Sequence, residues 1–310
     1  MAASYWSSTQ RRDWLYTREQ LQHVRLELDR DDSASVVRQF PLPEPRLLSL
    51  FFHAQLLKLA KRLSLRQIVV ATALTYLRRF YIRVSVRQTN PYLVLSTALY
   101  IACKIEECPI NIRLIVGEAR SIWQEFIGPD VASLGECEFW VISTMGCELV
   151  VHHPYKTVRM LEGRLGLSGE EAGLAWSVVN DSFLTDLPLL VAPHVVGWAA
   201  VFLALTLRPG QMQSLGQAEV VERVAGALKA GGEPGTVGGV GGAGQQGVSG
   251  HQGRLHRFLE WLAESEVDIK GVADCMQEVI SLYVLWENAF KEKEVRDQIG
   301  RLVKGRGLDR

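Results

Sequence analysis

The chain has 310 residues, a length that suggests about two domains. Lys+Arg and Asp+Glu are 34 each, so the formal net charge is zero. That excludes a whole-surface binder of nucleic acid or anionic membrane but leaves room for a local basic face. The five cysteines (103, 108, 137, 147, 275) are odd in number and form no CxxC. With no secretory signal at the start, they read as reduced thiols of a cytosolic or nuclear protein, with no metal or other cofactor.

In chain order, a polar N-terminal segment carrying Trp6 and Trp14 leads to a connector marked by Pro41, Pro43 and Pro45. Apolar residues then recur at three and four in Leu47–Leu63, Ile68–Ile82, Ile112–Phe126, Val131–Met145, Leu255–Leu262 and Val272–Phe290. No run alternates with period two, so the fold class is all-α.

The segment from Pro91 aligns without gaps on the segment from Pro193, at an offset of 102. Val94/Val196, Ala98/Ala200 and Ala102/Ala204 are identical. Proline suits the first helical position, and an apolar helix with almost no polar face belongs inside a bundle. Each of these helices is preceded by a capping-box pattern, Ser64–Gln67 and Ser168–Glu171. Two helical units of about 100 residues follow, each with a buried central helix.

Leu187 to Leu207 carries no formal charge, but Pro193 and Pro209 limit its helix to about 23 Å, short of the roughly 30 Å of a bilayer core. It reads as a buried helix, with no membrane partner. From Gly231 to Gly253, 11 of 23 residues are glycine. Little there can offset the entropy of ordering, so the stretch within about 210–253 reads as a disordered insertion in a loop.

Catalytic patterns are absent: no P-loop, HExxH, GxSxG or strand-borne GxGxxG. His152 and His153 are adjacent and do not form an i,i+4 metal pair. The two units differ most where the central helix ends, Cys103-Lys104-Ile105-Glu106-Glu107 against Leu205-Thr206-Leu207-Arg208-Pro209. A cation and an anion among isoleucines read either as a partner surface or as an exposed i,i+3 ion pair of a few tenths of a kcal/mol. Between Glu44 and Glu106 there is no acid, against ten basic residues from Arg46 to Lys104. That stretch is either an anion-binding face or is neutralised in space by other helices.

A two-unit helical repeat with Lys-x-Glu-Glu closing the third helix resembles the cyclin family. Arg66–Ala73, Arg79-Phe-Tyr and Glu136-Cys-Glu-Phe139 resemble further helices of its box. Tyr5-Trp-Ser-Ser, Val151–Tyr155 and Val179–Leu187 narrow the resemblance to the fungal branch of the cyclin C subfamily. It implies two cyclin-box five-helix repeats plus an N-terminal helix: 1–45 helix and connector, 46–150 first box, 151–290 second box with the insertion, 291–310 a charged tail. It also implies a nuclear regulatory subunit without catalysis of its own. The implied partners are a cyclin-dependent kinase, the other subunits of the Mediator kinase module and the RNA polymerase II holoenzyme, with no direct nucleic acid, acting largely in repression. By position, Lys104 and Glu138 are the implied charged pair facing the kinase. Ile101, Ile105 and Ile142 are apolar contacts around them, Glu107 faces basic kinase residues, and the N-terminal segment with Trp6 and Trp14 adds to the contact. Arg46–Phe52 departs from the substrate-docking patch of cell-cycle cyclins. The other reading is a transcription factor IIB-like protein that binds promoter DNA and polymerase through the basic stretch.

Overall fold

The computed structural model describes residues 4–126, 131–207 and 245–309. These residues are helical with no strand, and none of their helices is long and apolar enough to cross a membrane. They divide into two compact units.

The first unit comprises residues up to His152, Phe183–Leu190 and Leu285 onward. It begins with α1 (Thr9–Asp13), α2 (Arg18–Asp31) and α3 (Ala34–Gln39). The box helices follow as α4 (Pro45–Arg62), α5 (Gln67–Tyr81), α6 (Pro91–Ile105), α7 (Ile112–Ile122) and α8 (Val131–Thr144). Helix α6 is central. Pro91 starts it, and the Asn90 side chain caps it by accepting from the Tyr92 N–H at 3.1 Å. Val94, Leu95, Ala98, Leu99 and Ala102 are buried, and α4, α5, α7 and α8 pack round them. Burial of such side chains contributes roughly 1.5–3 kcal/mol for each large one.

At one end Tyr92 stacks on Phe126 with ring centroids 4.6 Å apart, beside Trp123. The Trp123 indole N–H donates to Gln55 Oε1 at 3.0 Å, and Gln55 Nε2 donates to Glu292 at 2.8 Å. The 291–310 segment, expected as a charged tail, is therefore part of this unit. A helix over Glu292–Gly305 buries Val295, Ile299, Leu302 and Val303. Those residues recur at helical spacing inside a charged sequence, so the charge lies on the outer face. The capping box expected at Ser64 does not form. Ser64 takes a left-handed turn conformation (φ 53°), and Arg66 caps α5 without a side-chain bond.

The second unit comprises His153–Ser182 and Val191–Val284. Its helices are α9 (Tyr155–Leu165), α10 (Gly169–Ser182), α12 (Pro193–Thr206), α13 (Gln245–Glu264) and most of α14 (Ile269–Asn288). The short α11 (Leu187–Leu190) lies in the first unit, and α15 is the Glu292–Gly305 helix. Here Pro193 starts the central helix α12, against which α9, α10 and α13 pack. Gly197 allows the α9 start to approach, since a Cβ there would lie 2.7 Å from Thr157 Cβ. Phe202 stacks on Phe258 at 5.4 Å. The Ser168–Glu171 capping box is complete: Glu171 N–H donates to Ser168 Oγ at 3.2 Å, and Ser168 N–H donates to Glu171 Oε2 at 2.8 Å. The expected insertion falls mainly outside the described residues, but its last part, from Gln245, is the beginning of α13.

Candidate functional site

The sequence closes α6 with a turn. Glu107 adopts φ 52°, and the Cys108 N–H returns to the Cys103 carbonyl at 2.9 Å. This leaves Lys104 and Ile105 on the last, exposed turn of α6, beside α8. Lys104 Nζ donates to Glu138 Oε1 at 2.6 Å, with side-chain exposures of 43% and 18%. The ammonium also sits 4.2 Å from the centroid of the Tyr100 ring. Burial disfavours the charge, but the Glu138 hydrogen bond and carboxylate and the Tyr100 ring outweigh it, so the Lys104 pKa stands above its ordinary value. Lys104 therefore stays ionised at neutral pH, and its ammonium is held against the Glu138 carboxylate on a helical surface.

Apolar groups frame it. Ile105 is 38% exposed, and Ile142, one turn from Glu138 on α8, is half-buried. Ile101 departs from the expectation. It is 1% exposed and belongs to the core, because α6 is apolar on nearly every side and Ile101 falls on a packed one. Phe139, not anticipated as a contact, is the most exposed large apolar residue described, at 79%. Its signal was the α8 pattern: Leu134, Cys137 and Val141 are buried, and residue 139 lies about 200° round the helix from Cys137. Leu114 on α7 is also half exposed.

The two glutamates after Ile105 separate. Glu106 accepts from Thr72 Oγ1 at 2.6 Å, and its carbonyl accepts from Arg66 Nη2 at 2.9 Å, so it closes the helix end onto α5. Glu107 is exposed.

The two N-terminal tryptophans also separate. Trp14 is fully buried, with the guanidinium groups of Arg79 and Arg83 4.8 and 4.4 Å from its ring. Its indole N–H donates to Glu148 Oε2 at 2.5 Å. Trp14 is therefore a structural clamp that fastens the N-terminal segment to the chain after α8, not a residue free to touch a partner. Gln10 strengthens the clamp through bonds of 3.2 and 2.6 Å with the His152 backbone. Trp6 is 61% exposed. No bond described here links it to the Lys104–Glu138 pair.

The basic stretch is neutralised in part. Lys58 pairs with Glu292, Arg62 with Glu118, Arg87 with Asp29 and Asp32, and Lys104 with Glu138. Arg66, Arg78, Arg79 and Arg83 donate to backbone carbonyls. Among the described residues no group of three His, Cys, Asp or Glu side chains is placed to hold a metal.

Residues 45–127 match the family Cyclin, N-terminal domain. The chain is 51% identical to the RNA polymerase II holoenzyme cyclin-like subunit of Aspergillus fumigatus, with all of both chains covered. It is 43% identical to the protein of that name from Neurospora crassa, again over the full length of both. Among solved structures, a chain of the yeast TFIIK complex superposes with a TM-score of 0.58 at 20% identity, covering 90% of this chain and 100% of that one; this likeness shows the fold. The all-helical fold, the match over residues 45–127 and identity over the whole length place this chain in the cyclin family, among the fungal RNA polymerase II holoenzyme cyclin-like subunits.

Proposed function

We propose that this chain is the non-catalytic regulatory subunit of a cyclin-dependent kinase within the Mediator kinase module, acting in the nucleus on RNA polymerase II transcription, largely as a repressor. The observation that carries the reading is the Lys104–Glu138 ion pair beside the exposed Ile105 and Phe139 and the half-buried Ile142. Exposed large apolar side chains grouped on one face mark a partner surface, and a charge pair among them fixes register and specificity. Kinase activity requires an ion pair between a β3 lysine and a glutamate of helix αC. A rigid surface that binds αC in its inward position shifts the kinase population toward the active state and needs no catalytic group. Glu107 and Trp6, both exposed, extend the contact.

The test is affinity purification of the full chain from its native cell, wild type and Lys104→Glu in parallel. A cyclin-dependent kinase and large Mediator subunits accompany the wild type, and the variant loses the kinase. Recovery of no kinase with the wild type overturns the reading.

A further inference from the structure

The second unit carries a basic stripe that its own acids do not pair with. On α9 the exposed residues Lys156, Arg159, Met160, Gly163 and Arg164 recur at three and four, so they lie along one side of the helix. Eight residues of helical rise set Lys156 and Arg164 about 12 Å apart. The stripe holds three cations and no acid, in a chain whose net charge is zero. Among the described residues no carboxylate lies within ion-pair distance of the three. Of the acids on α9, α10 and α13, Glu162 is half-buried and off the stripe, Glu171 pairs with Arg254, Glu260 pairs with His256, and Asp181 accepts from Tyr283. Glu170 and Glu264 are exposed at the start of α10 and the end of α13.

The two arginines are held in place. Arg159 lies over the Trp176 ring of α10, 5.9 Å from its centroid, and Arg164 over the Trp261 ring of α13 at 5.2 Å. Neither makes a hydrogen bond or an ion pair among the described residues. A guanidinium laid on an aromatic face keeps its N–H donors open to bidentate bonds with carboxylates, and it loses little freedom when they form.

Residues 159 and 164 stand about 140° apart round the helix, one at each edge of the stripe. Met160, 43% exposed, and Gly163 occupy the crest between them. A Cβ at Gly163 would meet nothing within 4 Å, so no packing within the described chain requires a glycine there, where it weakens the helix. Its lack of a side chain lets a partner backbone approach the crest closely.

We propose that this face docks an acidic segment of another protein, its carboxylates on Lys156, Arg159 and Arg164 and an apolar side chain on Met160. Charge complementarity sets the sign of the partner. Single-stranded nucleic acid is disfavoured because base stacking needs open aromatic faces. Trp176 is engaged by Tyr155 at 4.8 Å and by Arg159, and Trp261 by Arg164. A membrane is disfavoured because insertion needs a broad apolar face, and Met160 is the stripe's one large apolar side chain. The stripe shares no residue with the Lys104 face, so each stands or falls alone.

The probe is a fluorescein-labelled glutamate peptide with leucine at every fourth position, titrated into the full-length chain by fluorescence anisotropy. Its glutamine counterpart, a single-stranded oligonucleotide and phosphatidylserine vesicles run beside it. The acidic peptide binds saturably and more weakly as salt rises, and the other three bind at least tenfold more weakly. Gly163→Glu sets an anion among the three cations without touching a neighbour. It melts like wild type and binds the peptide at least tenfold more weakly. Lys156→Glu does the same, a readout that stands if Gly163→Glu folds poorly. Lys104→Glu, on the other face, leaves the peptide affinity unchanged. No saturable binding, an oligonucleotide or vesicle that binds as tightly, undiminished binding to a folded Gly163→Glu or Lys156→Glu, or an equal loss in Lys104→Glu each overturns the proposal.

Discussion

The Lys104 ammonium and the Glu138 carboxylate meet at 2.6 Å from helices whose contacting residues are 34 positions apart. With Lys104 43% exposed, the pair contributes only a few tenths of a kcal/mol to the free chain. At an interface the same pair is desolvated, and losing one partner costs about 2–5 kcal/mol. Lys104→Glu and Glu138→Lys are therefore expected to melt like wild type and to bind the kinase at least roughly 30-fold more weakly. Partial rescue in the double swap reports that the two charges face each other in the complex. Circular dichroism and a kinase titration check both points.

Phe139→Ala tests the apolar rim. The side chain is 79% exposed, so its loss changes stability by less than about 0.5 kcal/mol. If it anchors the partner, affinity falls by about 1–2 kcal/mol, roughly 5- to 30-fold. Unchanged binding removes Phe139 from the face.

His53 predicts a dependence on acid. Burial, then the charges of Arg78 and Lys61, lowers its pKa from 6.5 to about 4. Between those values the unfolded chain takes up a proton that the folded chain refuses, so stability is full above about pH 6.5 and declines toward pH 4. The His53 contribution amounts to about 2 kcal/mol lost between pH 7 and pH 5. Urea unfolding at the two pH values, wild type against His53→Gln, isolates it as the part of the pH dependence that disappears in the variant.

Gly197→Ala probes the second unit. The new methyl would lie 2.7 Å from Thr157 Cβ and 3.2 Å from the Pro154 carbonyl oxygen. Helix α9 must shift away, for about 1–3 kcal/mol of lost stability. Gly173→Ala on α10 meets nothing within 4 Å and serves as the matched control, at or slightly above wild-type stability. Equal urea midpoints for the two variants would show that the α9–α12 approach is not tight.

Much of this was readable in the sequence because it depends on local pattern. The period of the apolar residues, Pro91 and Pro193 as helix starts, and the Ser168 capping box all rest on residues within one or two turns. Lys104 was readable because the second repeat has Thr206 in its place. Ile101 was misjudged for a physical reason: a helix that is apolar all round gives no hint of which side its neighbours leave open. The Ser64 pattern failed because Ser64 closes α4 instead: it is left-handed, the Leu65 N–H returns to the Ala60 carbonyl at 3.0 Å, and Arg66 is left to begin α5. The partial neutralisation of the basic stretch and the burial of Trp14 depend on residues far away in the chain, such as Glu292 and Glu148.

The first unit is assembled from segments far apart in sequence, and this has a consequence for its synthesis. Gln55 waits for Glu292, 237 residues later, and Arg25 waits for Asp186, 161 residues later. At about 5–20 residues per second, the apolar surface that α15 covers stays open for on the order of ten seconds or more after the box helices leave the ribosome. Contacts of such sequence separation also form slowly. The nascent first unit therefore exposes part of its core until α15 has been made. A truncation just before Glu292 would remove less than a tenth of these 310 residues, yet it would take away all of α15, leave that unit with an uncovered core and direct the product to degradation rather than to a shorter working subunit.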